Sequence, residues 1–324
     1  EHPLCDHIFL ERSLMEYNRK ANVLCVVLVL LPSAMSSVLL GMPPDASSLT
    51  ESQMDDIALA VPKHAIGKPL KQRRVLVYSR TEAFCHDSIA AGNYALWLMG
   101  KVTGAYECEF IDEKSVFTPQ TLRRFDAIVF NNPCKVELAE VSQRQAILEF
   151  VAHGKGFVGI HCAADCFRDW AQGSEMLGGL FRSHPWEATG TWAVKIDEPN
   201  HPLVRPFHGQ GFYVQDEIFQ MGESPYSRDK LRVLMSLDMT KGVNKNVDGA
   251  IRADQDVAIS WIRTYDQGRV FFCSLGHNKD IFWRPPILDH YLAGIQFALG
   301  DLDVDSRPSA TLTPAPQAAL APDR

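Results

Sequence analysis

The chain has 324 residues, 46% of them apolar, enough to bury the core of one domain of above-average size together with flanking segments. Its formal net charge is −7 and it carries no long run of Lys and Arg, which excludes a dedicated nucleic-acid binder, because phosphate contacts are built from clustered cations. The expected partner is a small molecule or another protein, and no nucleic acid.

The first change of texture is Asn18-Arg19-Lys20, a cationic stretch, followed by the unbroken apolar run 23–31, VLCVVLVLL. Met15 just upstream would serve as a start, and Ala34-Met35-Ser36 has the small residues of a cleavage site, so 1–40 reads as a signal peptide. Reading on through 32–40 lengthens the run toward the roughly 20 residues of an uncleaved membrane anchor. Export to the periplasm or the extracellular space is therefore expected, with a possible N-terminal membrane anchor as its variant. Residues 41–72, charged and rich in Pro and Ser, read as a linker. The eight cysteines show no framework spacing, and the lack of a CxxC pair excludes a zinc ribbon or thioredoxin-like motif.

From Arg74 the pattern alternates. Residues 74–78 form a β-branched run, 88–98 follow with helical spacing of Ile89, Tyr94 and Leu98, and 106–111 and 127–130 are two further strands. Residues 141–151 space Ala146, Ile147, Phe150 and Val151 as an amphipathic helix, and 156–160 are apolar throughout, as in a strand buried on both faces. Strands alternating with helices predict an α/β fold with a doubly wound, mostly parallel sheet of flavodoxin-like or class I glutamine amidotransferase-like type, spanning 73–302. Ligands of such sheets lie beyond the C-terminal strand ends, so 79–87, 131–134 and 161–165 should share one rim.

Beyond Asp165 come added antiparallel strands at 191–196, 212–220, 231–237, 257–264 and 269–275, with Asp266-Gln267-Gly268 as a hairpin turn between the last two. Residues 286–299 close the domain as a helix. The stretch 306–324, rich in Pro and Ala, reads as part of a disordered tail over 303–324.

The chemistry centres on Gly159-Ile160-His161-Cys162-Ala163-Ala164-Asp165. Gly159-x-His161-x-Ala163 has the frame of a nucleophile elbow, with histidine at the framed position. His161 is the expected base or metal ligand, and Asp165 can orient the imidazole, ligate a metal or simply cap a helix. His86-Asp87-Ser88, His184 and His277 stand at element ends, and Asp216-Glu217 sits inside strand 212–220, where alternation lets only one carboxylate face the site. His161, Asp165 and Glu217 are thus the catalytic candidates, and His86, Asp87, Asp216 and Trp186 the substrate-binding ones. His161, His184 and His277 suit Zn²⁺ or a similar divalent metal, although imidazoles can also act as general acid and base without one. Trp170, Trp186 and Trp283 can stack on sugar rings, though tryptophan is more often core. A rival reading makes Cys162 a nucleophile with His184 or His277 as its base; Cys162 is one residue out of the elbow frame and points elsewhere.

The segment 156–165, with His86-Asp87-Ser88, 181–185, Asp216-Glu217 and Leu275-Gly276-His277, resembles the ThuA-like trehalose-utilisation family over about 74–300. The resemblance implies a class I glutamine amidotransferase-like fold with histidine in place of the nucleophilic cysteine. It also implies a role in metabolism of trehalose or a related disaccharide, with 3-keto sugars among the candidates, as a hydrolase or lyase acting on glycosides. A non-catalytic sugar-binding module is the alternative. This chain departs from the family pattern at Cys162, where alanine is common, and at Cys85, where a basic residue is common.

Overall fold

The computed structural model describes residues 41–324, so the apolar run 23–31 and the expected signal peptide or anchor lie outside it. Among the described residues no helix is long and apolar enough to cross a membrane. After helix α1 (Glu51–Ala60) the chain lays down β1 (Arg74–Tyr78), α2 (Ile89–Thr103), β2 (Glu107–Phe110), the short α3 (Pro119–Leu122), β3 (Ala127–Asn131), α4 (Val141–Ala152) and β4 (Gly156–Ile160). Then come a 3₁₀ turn (His161–Asp165), α5 (Ala171–Leu177), β5 (Phe181–Trp186), β6 (Thr191–Ile196), β7 (Phe212–Gln215), β8 (Ile218–Met221), β9 (Arg232–Leu237), β10 (Ala258–Tyr265), β11 (Gly268–Cys273) and α6 (Pro285–Leu299).

Nine strands form one sheet in the order β2-β1-β3-β4-β11-β10-β9-β6-β7, while β5 and β8 form a separate two-stranded ribbon. The pairings from β2 through β11 are parallel and those from β11 through β7 antiparallel, as the sequence pattern predicts. The parallel half is apolar on both faces because side chains alternate between two cores. Val75, Val77, Ala127, Val129, Val158 and Ile160 pack with α2 and α6 on one side. Leu76, Tyr78, Ile128, Phe130 and Phe157 pack with α4 and α5 on the other. Burying each of these large side chains is worth about 1.5–3 kcal/mol.

Three expectations change. The single strand 212–220 is two strands in different sheets, broken at Asp216-Glu217, because both Asp216 oxygens take backbone N–H groups of the loop after β11. Residues 41–72 are not a bare linker. Helix α1 opens with a capping box between Thr50 and Gln53, buries Ile57 completely, and the segment after it is tied down by Gln296, which accepts the N–H groups of Ile66 and Gly67. The stretch 303–324 is not a loose tail either. Ala319 bridges Ile196 by two backbone hydrogen bonds, Ala321 is buried with its N–H on Asp238, and Ser309 donates to the Leu231 carbonyl. Small side chains let this backbone lie directly on the sheet edge, so its composition does not mean disorder.

Candidate metal centre

The C-terminal ends of β1, β3, β4 and β11 meet on one rim, as expected of a parallel sheet. His86 arrives on the loop after β1, His161 directly after β4, and His277 on the loop after β11. His161 is completely buried and holds a left-handed backbone, φ +46°, the sharp turn the elbow frame predicts. The loop carrying His277 is fastened on both sides. Asp216 accepts the N–H groups of Gly276 and Asn278 at 2.6 and 2.8 Å, while Ser88 Oγ and Asn132 Nδ2 donate to the Gly276 carbonyl at 2.7 and 2.9 Å. Ser88 therefore serves this loop instead of capping α2 with its side chain.

Glu217, released from the ladder at the β7–β8 break, stands at the centre. Its Oε2 lies 3.5 Å from His161 Nε2 and 3.5 Å from His277 Nδ1, and its Oε1 lies 3.2 Å from His184 Nδ1. The His86 ring meets those of His161 and His277 edge to face at 4.9 and 5.0 Å. One donor atom from each of His86, His161, His277 and Glu217 falls within 4.8 Å of all the others. His86 thus joins the candidate ligands, and His184, half-exposed on β5, takes the outer carboxylate oxygen.

The protonation pattern suits a cation. His161 Nδ1 faces the Ser274 carbonyl at 2.6 Å. A carbonyl only accepts, so Nδ1 carries a proton, and Nε2 is the ring nitrogen turned to the cluster. His86 Nδ1, His161 Nε2 and His277 Nδ1 are all buried without a hydrogen-bond partner. Burial first, then the neighbouring His161 and His277 imidazoles, push His86 down to about 3. Burial alone would raise Glu217, but the His161 and His277 imidazoles beside it hold it well below the usual carboxylate range. Burial likewise opposes protonation of His277, and the Glu217 carboxylate outweighs it and raises that pKa. Burial raises Asp216 to about 6 against the pull of His161 and the two N–H groups it accepts.

The cavity beside this cluster measures about 320 Å³ and is walled by Phe84, Phe181 and Phe219 together with His86, His184 and His277. Phe219 lies against His161 with ring centroids 4.2 Å apart, and Phe181 stacks on His184. Ser88 and Phe181 lie in segments the sequence singles out, whereas Phe84, Phe219 and Asn132 carry no chemistry of their own, and only their nearness in sequence to His86, Glu217 and the end of β3 could have pointed to them.

Other candidates stand elsewhere. Asp165 does not orient His161; its partners are Arg168, in an ion pair, and Cys134. Asp87 is exposed and pairs with Lys279 at 3.0 Å. Asp216 is buried and occupied by backbone, so it positions the His277 loop and leaves Glu217 as the carboxylate facing the cavity. Trp186 is core, 1% exposed, with its indole N–H on the Asn244 carbonyl, and Trp170 is buried against Phe167, so neither can stack on a sugar. Cys162 has no imidazole partner among the described residues; a hydrogen bond with Cys134, then burial, pushes its thiol far up, which removes the support for a Cys–His nucleophile.

A family model described as trehalose utilisation, ThuA, matches residues 74–298. The chain belongs to the ThuA family. Among solved structures it is similar to a putative ThuA-like protein from Bacteroides uniformis, with 19% identity and TM-score 0.57 over 72% of this chain and 94% of that one. A second, from Parabacteroides merdae, has 15% identity and TM-score 0.51 over 71% of this chain and 90% of that one. These likenesses carry the α/β architecture with its added antiparallel strands. No curated protein sequence matches the chain.

Proposed function

We propose that this ThuA protein is an enzyme of the hydrolase or lyase type that acts on trehalose or a related disaccharide, 3-keto forms included, with a divalent cation held by His86, His161, His277 and Glu217. The observation that supports the reading best is the convergence of three unpartnered buried imidazole nitrogens on one ionised carboxylate. The 3.5 Å separations between Glu217 and two of those nitrogens agree with the roughly 3.4 Å expected between donors on a tetrahedral ion with bonds of about 2.0–2.1 Å. A bound cation would supply Lewis-acid polarisation of a sugar oxygen.

The protein's own groups do the rest. Ser274 fixes the His161 tautomer, Asp216 places His277, and Phe84, Phe181 and Phe219 offer apolar faces to a sugar ring. His184, turned to Glu217 through Nδ1, keeps Nε2 available at the cavity mouth to move a proton on the substrate. Export of the protein belongs to the same proposal and rests on the run 23–31 alone.

Elemental analysis after dialysis against manganese or zinc should find a stoichiometric ion that Glu217→Gln and His161→Ala lose. Incubation with trehalose, maltose and their 3-keto forms, followed by mass spectrometry, should show turnover. Binding without turnover would make the chain a sugar-binding module, and full turnover in His161→Ala would overturn the enzymatic reading.

A further inference from the structure

In the same cavity as the histidines, two strand-end turns bring a second set of donors together. Cys134 lies in the turn after β3, between Asn132 and Lys135, which both hold left-handed backbones at φ +56° and +48°. Cys162 and Asp165 lie in the 3₁₀ turn after β4. The turns are tied by the Cys162 N–H, which donates to Asn132 Oδ1 at 3.3 Å. Because consecutive side chains diverge, Cys162 points away from the cluster that His161 enters. Cys134 Sγ, Cys162 Sγ and an Asp165 oxygen all fall within 4.8 Å of one another, and all three residues are buried.

We propose that Cys134, Cys162 and Asp165 form a second cation site, selective for a thiophilic divalent ion such as zinc or cadmium. Cys134 Sγ stands 3.8 Å from Asp165 Oδ2, close to the roughly 3.5 Å that separates a sulfur and an oxygen on one tetrahedral zinc. Arg168 engages Oδ1, which leaves Oδ2 for the ion and orients the carboxylate, as ligands of metal sites require. Two thiolates and a carboxylate carry three negative charges, which Arg168 and a divalent ion neutralise. All three donors line the cavity, so a fourth coordination position opens toward whatever occupies it. Two sulfur ligands exclude magnesium and calcium and set this site apart from the nitrogen-rich histidine cluster. The proposal does not depend on the histidine cluster holding an ion.

Cadmium is the probe, because only thiolate ligands give its ultraviolet charge-transfer band. The full chain, reduced and stripped of ions with a chelator, should develop that band on titration and saturate at one equivalent, and zinc should abolish it by competition. His161→Ala and Glu217→Gln should keep the band, while Cys134→Ser and Cys162→Ser should lose it. Asp165→Asn, which retains both thiols and guards against a folding artefact, should weaken cadmium binding at least about tenfold. Absence of the band, or its survival in both serine variants, would overturn the site.

Discussion

Gly276→Ala tests whether the His277 loop is as rigid as its contacts demand. Gly276 has φ +131°, a region that L-residues rarely adopt and that costs them about 1–3 kcal/mol. An added Cβ would also stand 3.2 Å from Ile160 Cγ2, 3.4 Å from His161 Cβ and 3.4 Å from Phe282 Cζ. Rotating the peptide to escape would break the bonds from Ser88 and Asn132 to its carbonyl, about 1 kcal/mol each, and the bond from its N–H to ionised Asp216, about 1.5–3 kcal/mol. Keeping the strain is therefore the cheaper course, and the expected loss is about 2–3 kcal/mol. In a domain of this size that corresponds to a Tm lower by about 4–8 °C. The control is Gly104→Ala at the C-terminus of α2, where φ is +64° and nothing lies within 4 Å, so only the left-handed penalty of about 1–2 kcal/mol applies. Thermal unfolding followed by circular dichroism, with chelator present to remove ion linkage, compares the two. If Gly276→Ala melts no lower than Gly104→Ala, the loop is not held as described.

Ile57→Ala should cost about 2–5 kcal/mol in a denaturant titration, because Ile57 is fully buried; a loss under about 0.5 kcal/mol would return 41–72 to the status of a linker. Ala321→Asp should destabilise by about 1–3 kcal/mol, since it buries a second carboxylate beside Asp238, and an unchanged melt would mean that the C-terminal stretch does not pack in solution. Acid should destabilise the fold through His201 and His290, which burial pushes down to about 4. An unfolded histidine binds its proton near 6.5, so stability is fully present above that pH and falls as pH drops from about 6.5 to 4. His290→Gln should flatten the pH dependence of unfolding in that window, and an unaltered slope would refute the assignment. Phe219→Ala should lower sugar affinity without removing the ion of the histidine site, as read by calorimetry and metal analysis on the same sample.

The parallel half of the fold was legible because β3 and β4 are buried on both faces, so residues 127–130 and 156–160 read as unbroken apolar runs. The break in 212–220 was not, because it depends on N–H groups of Gly276 and Asn278 some sixty residues away, which alternation of side chains does not register. Composition misled at both ends of the domain. Pro and Ser around Ile57 mask a buried set that also includes Ala46, Leu49, Ala60 and Val61, and Pro and Ala around Ala321 mask a single buried anchor. In the site, His161, His277 and Glu217 were recognisable from strand ends and spacing. Asp165 and Trp186 were not assignable, since proximity in sequence to His161 does not say which way a carboxylate turns, and a tryptophan's residue type does not distinguish core from cavity wall.

The two-residue joint at Asp216-Glu217 divides the labour of the cavity. On one side the strand ends of the parallel half present His86, His161 and His277 from a frame buried on both faces. On the other, the β5–β8 ribbon contributes Phe181, His184 and Phe219 and is paired with no strand of the main sheet. Selection can therefore rework the ribbon, and with it the shape of the cavity, while the histidine frame stays intact. Such a modular wall lets one set of histidines face cavities of different shape.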